Sequence, residues 1–191
     1  MRTTMLSMFA LAGFLLPAGT AAAQSQGGGT QYESGSQSRQ APSSGDQGGT
    51  EVQPPPEAAQ LAPDGTAIAP ASAPPAVQAI IAAGNQIASK PYRYGGGHGR
   101  WNDRGYDCSG SISFALHGAA LISQALDSTG FMRWGASGPG QWVTIYANPG
   151  HAFMVVAGVR FDTSGRGRRG SRWQPAPRSA SGYRVRHPDG L

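Results

Sequence analysis

Apolar residues recur at helical spacing over 76–90: Val77, Ile80, Ile81, Gly84, Ile87 and Ala88 share one face, and Pro91 stops the run. A second apolar stretch, Ser111-Ile112-Ser113-Phe114-Ala115-Leu116, follows Asp107-Cys108-Ser109-Gly110. It predicts a buried helix reaching about Leu126, with a break near Gly118. Asp107 suits the N-cap, which puts Cys108 in the first turn. Downstream the pattern changes to strands. Gln141-Trp142-Val143-Thr144-Ile145-Tyr146 follows the turn Gly138-Pro139-Gly140, and Asn148-Pro149-Gly150 makes the next turn. His151-Ala152-Phe153-Met154-Val155-Val156 is a near-continuous apolar strand, and Val159-Arg160-Phe161-Asp162 a third. Helices followed by a short antiparallel meander predict an α+β class, with N-terminal helices packed on the sheet.

Register within that meander decides where Asp162 points. A two-residue turn at Ala157-Gly158 pairs Phe153 with Asp162, and 153 shares a face with 151. His151 and Asp162 are then diagonal neighbours, ~7 Å apart. A three-residue turn flips Asp162 to the other face.

Composition divides the chain. Residues 1–23 read as a secretory signal: Arg2 leads, Leu6 to Leu16 is apolar, and Ala21-Ala22-Ala23 gives an A-x-A site before Gln24. The apolar run is too short for a comfortable membrane span, no other segment approaches that length, and export follows. Residues 24–75, dominated by Gly, Ser, Gln, Pro and Ala, carry only scattered large apolar residues and predict a disordered tether. The folded domain is then 76–191. Its thirteen Lys or Arg against five Asp give +8, so it is more basic than the whole-chain +5 suggests. That balance suits an anionic surface such as a cell envelope, or is simply a solvated basic face.

The candidate chemistry centres on Cys108, the one cysteine of the chain. A helix N-terminus favours thiolate over thiol, as a nucleophile requires. An inert buried thiol and an intermolecular disulfide are the other readings of a lone cysteine. His117, nine residues on, falls on the opposite helix face ~13 Å along the axis and cannot serve as the base. His151 is the one titratable residue in its strand, at the mouth of the hairpin. The glycine-rich Tyr92-Arg93-Tyr94-Gly95-Gly96-Gly97-His98-Gly99 is irregular and lacks the G-K-S/T of a phosphate loop. His98, His117, His151 and His187 show no ligand spacing, so neither metal nor cofactor is expected. Beyond about 165 the chain is an Arg-rich extension that Trp173 and Tyr183 could pin to the domain. Arginines among aromatics can mean nucleic acid, but an exported chain rarely meets any.

These residues resemble the NlpC family of papain-like cell-wall cysteine endopeptidases. Asp107-Cys108-Ser109-Gly110 matches the family's D-C-S-G around the nucleophile. Tyr92-Arg93-Tyr94-Gly95-Gly96 is similar to Y-x-W-G-G, with Tyr94 for Trp, and Pro139-Gly140-Gln141-Trp142-Val143 to P-G-D-L-V, with Gln141 for Asp. Gly150-His151 matches the base histidine, and Asp162 falls near the third, polar position. The resemblance covers about 76–164. It implies a papain-like fold and hydrolysis of peptidoglycan stem peptides by a Cys108–His151–Asp162 triad through an acyl-enzyme. It also implies substrate binding by Tyr92, Asp107 and Ser109, so Asp107 has two readings, cap and ligand. A monomer with a muropeptide substrate is expected. A non-catalytic envelope-binding module on the same fold, or an amidase or acyltransferase using the dyad, are the alternatives.

Overall fold

The computed structural model describes residues 55, 57–167 and 170–191. The expected signal and most of the expected tether lie outside them. In chain order the elements are β1 (Gln60–Leu61), β2 (Ala67–Ile68), α1 (Pro75–Ile87), α2 (Cys108–Gly118), α3 (Ser128–Phe131), β3 (Ala136–Ser137), β4 (Val143–Asn148), β5 (His151–Val156), β6 (Val159–Phe161), β7 (Trp173–Pro175) and β8 (Arg184–His187). Helices on an antiparallel sheet make the described residues α+β.

The apolar face of α1 is buried through Val77, Ile80, Ile81, Gly84 and Ile87. It meets α2 closely enough that a Cβ at Gly118 would lie 2.4 Å from Ala83 Cβ. The expected extension of α2 to Leu126 does not form. Ala120 takes φ 58°, and the amides of Ala120 and Leu121 return to the carbonyls of His117 (2.9 Å) and Leu116 (3.0 Å). This is a Schellman ending built on alanine where glycine is usual.

The meander forms as its register predicts. Val156 pairs with Val159 across a two-residue turn in which Ala157 (φ 45°) and Gly158 (φ 80°) are both left-handed. The sheet is larger than three strands, however. Its order is β3-β8-β4-β5-β6-β7, antiparallel at every ladder. The Arg-rich extension thus supplies a strand on each side of the meander, with Pro175 on the edge strand β7, where a missing amide donor is tolerated.

The expected tether ends earlier than residue 75. From Glu57 onward the chain is built into the domain: Ala59, Ala67 and Ala73 are buried core residues. The Ala59 amide donates to the Ala157 carbonyl at 2.7 Å. The Asn85 side chain on α1 accepts from the Ala67 amide and donates to the Ala67 carbonyl, both at 2.9 Å. Small residues need little volume to be buried, so composition alone hides this hairpin. A chain beginning at Pro75 loses both Asn85 hydrogen bonds, worth about 0.5–1.5 kcal/mol each, together with the burial of Ala59, Ala67 and Ala73. Its urea midpoint is expected below that of a chain beginning at Pro55. Coincident melts would show that the hairpin adds nothing.

Candidate active site

Asp107 has extended backbone (φ −79°, ψ −172°), and its Oδ1 accepts from the Gly110 amide at 2.7 Å, capping α2 and fixing Cys108 as its first residue. The glycine loop packs on that turn. Gly97 sits at φ 87° with Tyr106 2.6 Å from where its Cβ would be, and a Cβ at Gly110 would meet the Gly96 carbonyl at 2.1 Å. The glycines therefore admit the protein's own backbone to the turn that holds Cys108.

His151 opens β5, where the Asn148 side chain accepts from its amide at 2.8 Å. Asp162 leaves β6 on the same face, as the two-residue turn requires. Their side chains meet: His151 Nε2 lies 2.9 Å from Asp162 Oδ1. Oδ1 also accepts from the Ser164 amide at 2.8 Å, and Ser164 Oγ is 3.2 Å from the same imidazole nitrogen. Oδ2 is ion-paired with Arg178, with Arg160 Nε at 3.6 Å. With Nε2 committed to Asp162, Nδ1 is the nitrogen left to face the Cys108 thiol.

Charge follows from these contacts. Burial pushes the Cys108 thiol up, but the hydrogen bond to His151, the Ala152 amide and the His151 charge outweigh it and hold it below its ordinary value. Burial pushes His151 down, but the hydrogen bonds to Asp162 and Cys108 and their charges raise it to about 9. Burial pushes the Asp162 carboxyl up, and the His151 hydrogen bond, the Ser164 amide and the charges of His151 and Arg178 bring it below the usual carboxylate range. Both shifts favour the thiolate–imidazolium form of the pair over the neutral one. Asp162→Asn removes the anion that stabilises the imidazolium, so His151 is expected to titrate one unit or more below 9. NMR of the imidazole Cε1–H resonance reads this directly, and an unmoved titration would deny Asp162 that role.

Tyr92, Asp107, Cys108 and Ser109 line one cleft of about 330 Å³, together with His98 and Asp127. Tyr92 is exposed. Burial and the negative charges of Cys108 and Asp107 push its phenol up. Asp107 and Ser109 are buried, and the Asp107 carboxylate is already well occupied. Besides Gly110 it accepts from the Gly95 amide (3.0 Å) and Ser109 Oγ (3.3 Å), and both its oxygens lie close to His98 Nε2, at 3.0 and 3.1 Å. A cationic ligand group reaching Asp107 has to share it with His98.

Sequence reasoning gave no site role to His98, Ser164, Arg178 or Tyr183. A lone histidine inside a glycine loop was the signal available for His98. Ser164 reaches Asp162 locally as a turn neighbour two residues on, and Arg178 and Tyr183 are brought in by the topology of the extension. His117, excluded above as the base, stacks on Trp101 at 3.9 Å between ring centroids.

The chain matches no family model, and comparison with curated proteins gives no match. Among solved structures it is similar to the P60 domain of an antigen from M. avium subspecies paratuberculosis. That superposition has a TM-score of 0.46 at 20% identity and covers 58% of this chain and 93% of that one. Among the described residues no helix is long and apolar enough to cross a membrane.

Proposed function

We propose that this chain is an exported cysteine peptidase that hydrolyses peptide bonds in peptidoglycan stem peptides on a papain-like fold. The observation that carries the proposal is the contact series from Cys108, at the first turn of α2, through His151 to the buried carboxylate of Asp162. The D-C-S-G and Gly-His resemblances direct it toward wall peptides. The basic balance of 76–191 suits an anionic wall.

The chemistry follows from the charges. The Cys108 thiolate adds to the scissile carbonyl carbon, and the developing oxyanion finds a donor in the Cys108 amide at the helix start. Collapse breaks the C–N bond, the His151 imidazolium gives its proton to the leaving amine, and a thioester remains. Neutral His151 then takes a proton from water as it attacks the thioester. A carboxylic acid leaves, and the thiolate and imidazolium are restored. Asp162 holds the ring throughout and is not itself protonated. A non-catalytic module has no need of this series of contacts.

The test is incubation with purified peptidoglycan followed by mass spectrometry of the soluble fraction. Fragments cut within the stem peptide are expected. Wall material returned with every stem intact would overturn the reading.

A further inference from the structure

The segment 176–183 joining β7 to β8, in which Arg178 is the one arginine, takes no step in the chemistry above. In the sheet order β8-β4-β5-β6-β7 this connection must pass across three strands, β6, β5 and β4. It does so on the face that carries His151 and Asp162. Tyr183 stands edge-on to Phe153, with ring centroids 5.2 Å apart, and to His151 at 6.5 Å. The guanidinium of Arg178 lies 4.8 Å from the Phe153 ring centroid and donates to the Tyr183 hydroxyl at 3.2 Å. Its other terminal nitrogen binds Asp162 Oδ2.

The two oxygens of one buried carboxylate are thus divided between His151 on one side and guanidinium groups on the other. Oδ1 serves His151 and the Ser164 amide, and Oδ2 serves Arg178, with Arg160 Nε farther off at 3.6 Å. We propose that Arg178, carried across the sheet by this strap, is a positioning residue that fixes the Asp162 carboxylate against His151 and offsets part of its charge. The inference rests on the Cys–His reading above. A bare buried carboxylate would bind the imidazolium too well and make it a reluctant acid. A guanidinium on the far oxygen weakens that hold and stops the carboxylate from rotating away. The other charged or titratable groups facing the pair are Cys108 from α2, Arg160 from β6 and Tyr183 from the strap. Arg160 cannot move in to replace Arg178 freely, because it is held by Gln174 Oε1 at 2.8 Å and the Pro177 carbonyl at 3.3 Å.

The test is the NMR titration of His151 in the full chain and three variants, with thermal melts alongside. Arg178→Gln and Arg178→Met remove the charge and are expected to raise the His151 titration about one pH unit above the wild type. Arg178→Lys keeps a cation there and titrates with the wild type. Arg178→Met retains the contact on Phe153, so the measurement survives if the glutamine variant does not fold. Neutral variants that titrate with the wild type, whatever their melting temperature, overturn this inference alone. A wild-type His151 that titrates at its ordinary value overturns the thiolate–imidazolium reading and this inference with it.

Discussion

Cys108→Ala is expected to leave the fold in place and, with Cys108 as the proposed nucleophile, to stop the proposed fragment release from peptidoglycan by a factor on the order of 10⁴ or more. The fold survives because Cys108 is only partly buried and its neighbours Asp107, Ser109 and Gly110 keep the cap of α2 without the sulfur. The stability change should stay near 1 kcal/mol. Hydrolysis stops because no other nucleophile in the cleft is so activated. The Ser109 hydroxyl is buried beside Asp107 and His98, whereas His151 is turned to Cys108. Cys108→Ser tests the same point with a group of similar size, since a hydroxyl held there does not ionise as the thiol does. The alanine variant also removes the thiolate that helps hold His151 at about 9, so its imidazole should titrate lower. An unchanged titration alongside lost hydrolysis would mean the sulfur never carried the charge. Retained hydrolysis in the alanine variant would remove Cys108 from the mechanism altogether.

The start of α2 at Cys108 and the His–Asp contact were legible because each rests on local rules. An N-cap aspartate fixes the start of α2, and a two-residue turn fixes the parity of Asp162. What could not be read depends on long-range partners. The Ala59 and Ala67 hairpin carries a proper turn signal in Pro63-Asp64-Gly65, but its small residues look like linker until α1 presents Asn85 to them. The end of α2 was hidden because its left-handed residue is Ala120 and not a glycine. Strands β7 and β8 were hidden by arginine and proline, which argue for solvent and turns. Their place beside β6 and β4 is set by the sheet edges those strands left open. His98 was visible as a residue, but its role appears only where the loop folds back on Asp107.

Arg172 is the sharpest case, because nothing in an Arg-rich extension marks one arginine as core. It is fully buried, 0% exposed, and makes no ion pair among the described residues. Its charge is met by dipoles instead. Nη1 donates to the carbonyls of Ile87 and Lys90, both at 2.6 Å, where α1 ends and its dipole is negative. Nη2 reaches the Tyr106 carbonyl at 3.1 Å, and Nε the Ser111 hydroxyl at 2.9 Å. Burial and the nearby Arg166 charge lower its pKa to about 10, which leaves it protonated at neutral pH. One side chain therefore ties the end of α1 to the residues on either side of Cys108. Arg172→Ala removes these hydrogen bonds to a charged group, at about 1.5–3 kcal/mol each, and opens a cavity besides. The carbonyls of Ile87, Lys90 and Tyr106 each keep a second donor, from the Lys90 amide, Arg166 and the Arg93 amide. The loss is still large against the stability of an ordinary domain, about 5–15 kcal/mol, so the variant is expected to melt far below the wild type. Arg172→Met fills the space but restores none of these bonds, and Arg172→Lys keeps the charge with fewer donors. Urea midpoints should therefore fall in the order wild type, Lys, Met, Ala. An alanine variant within about 1 kcal/mol of the wild type would mean that water can replace the guanidinium in this interior.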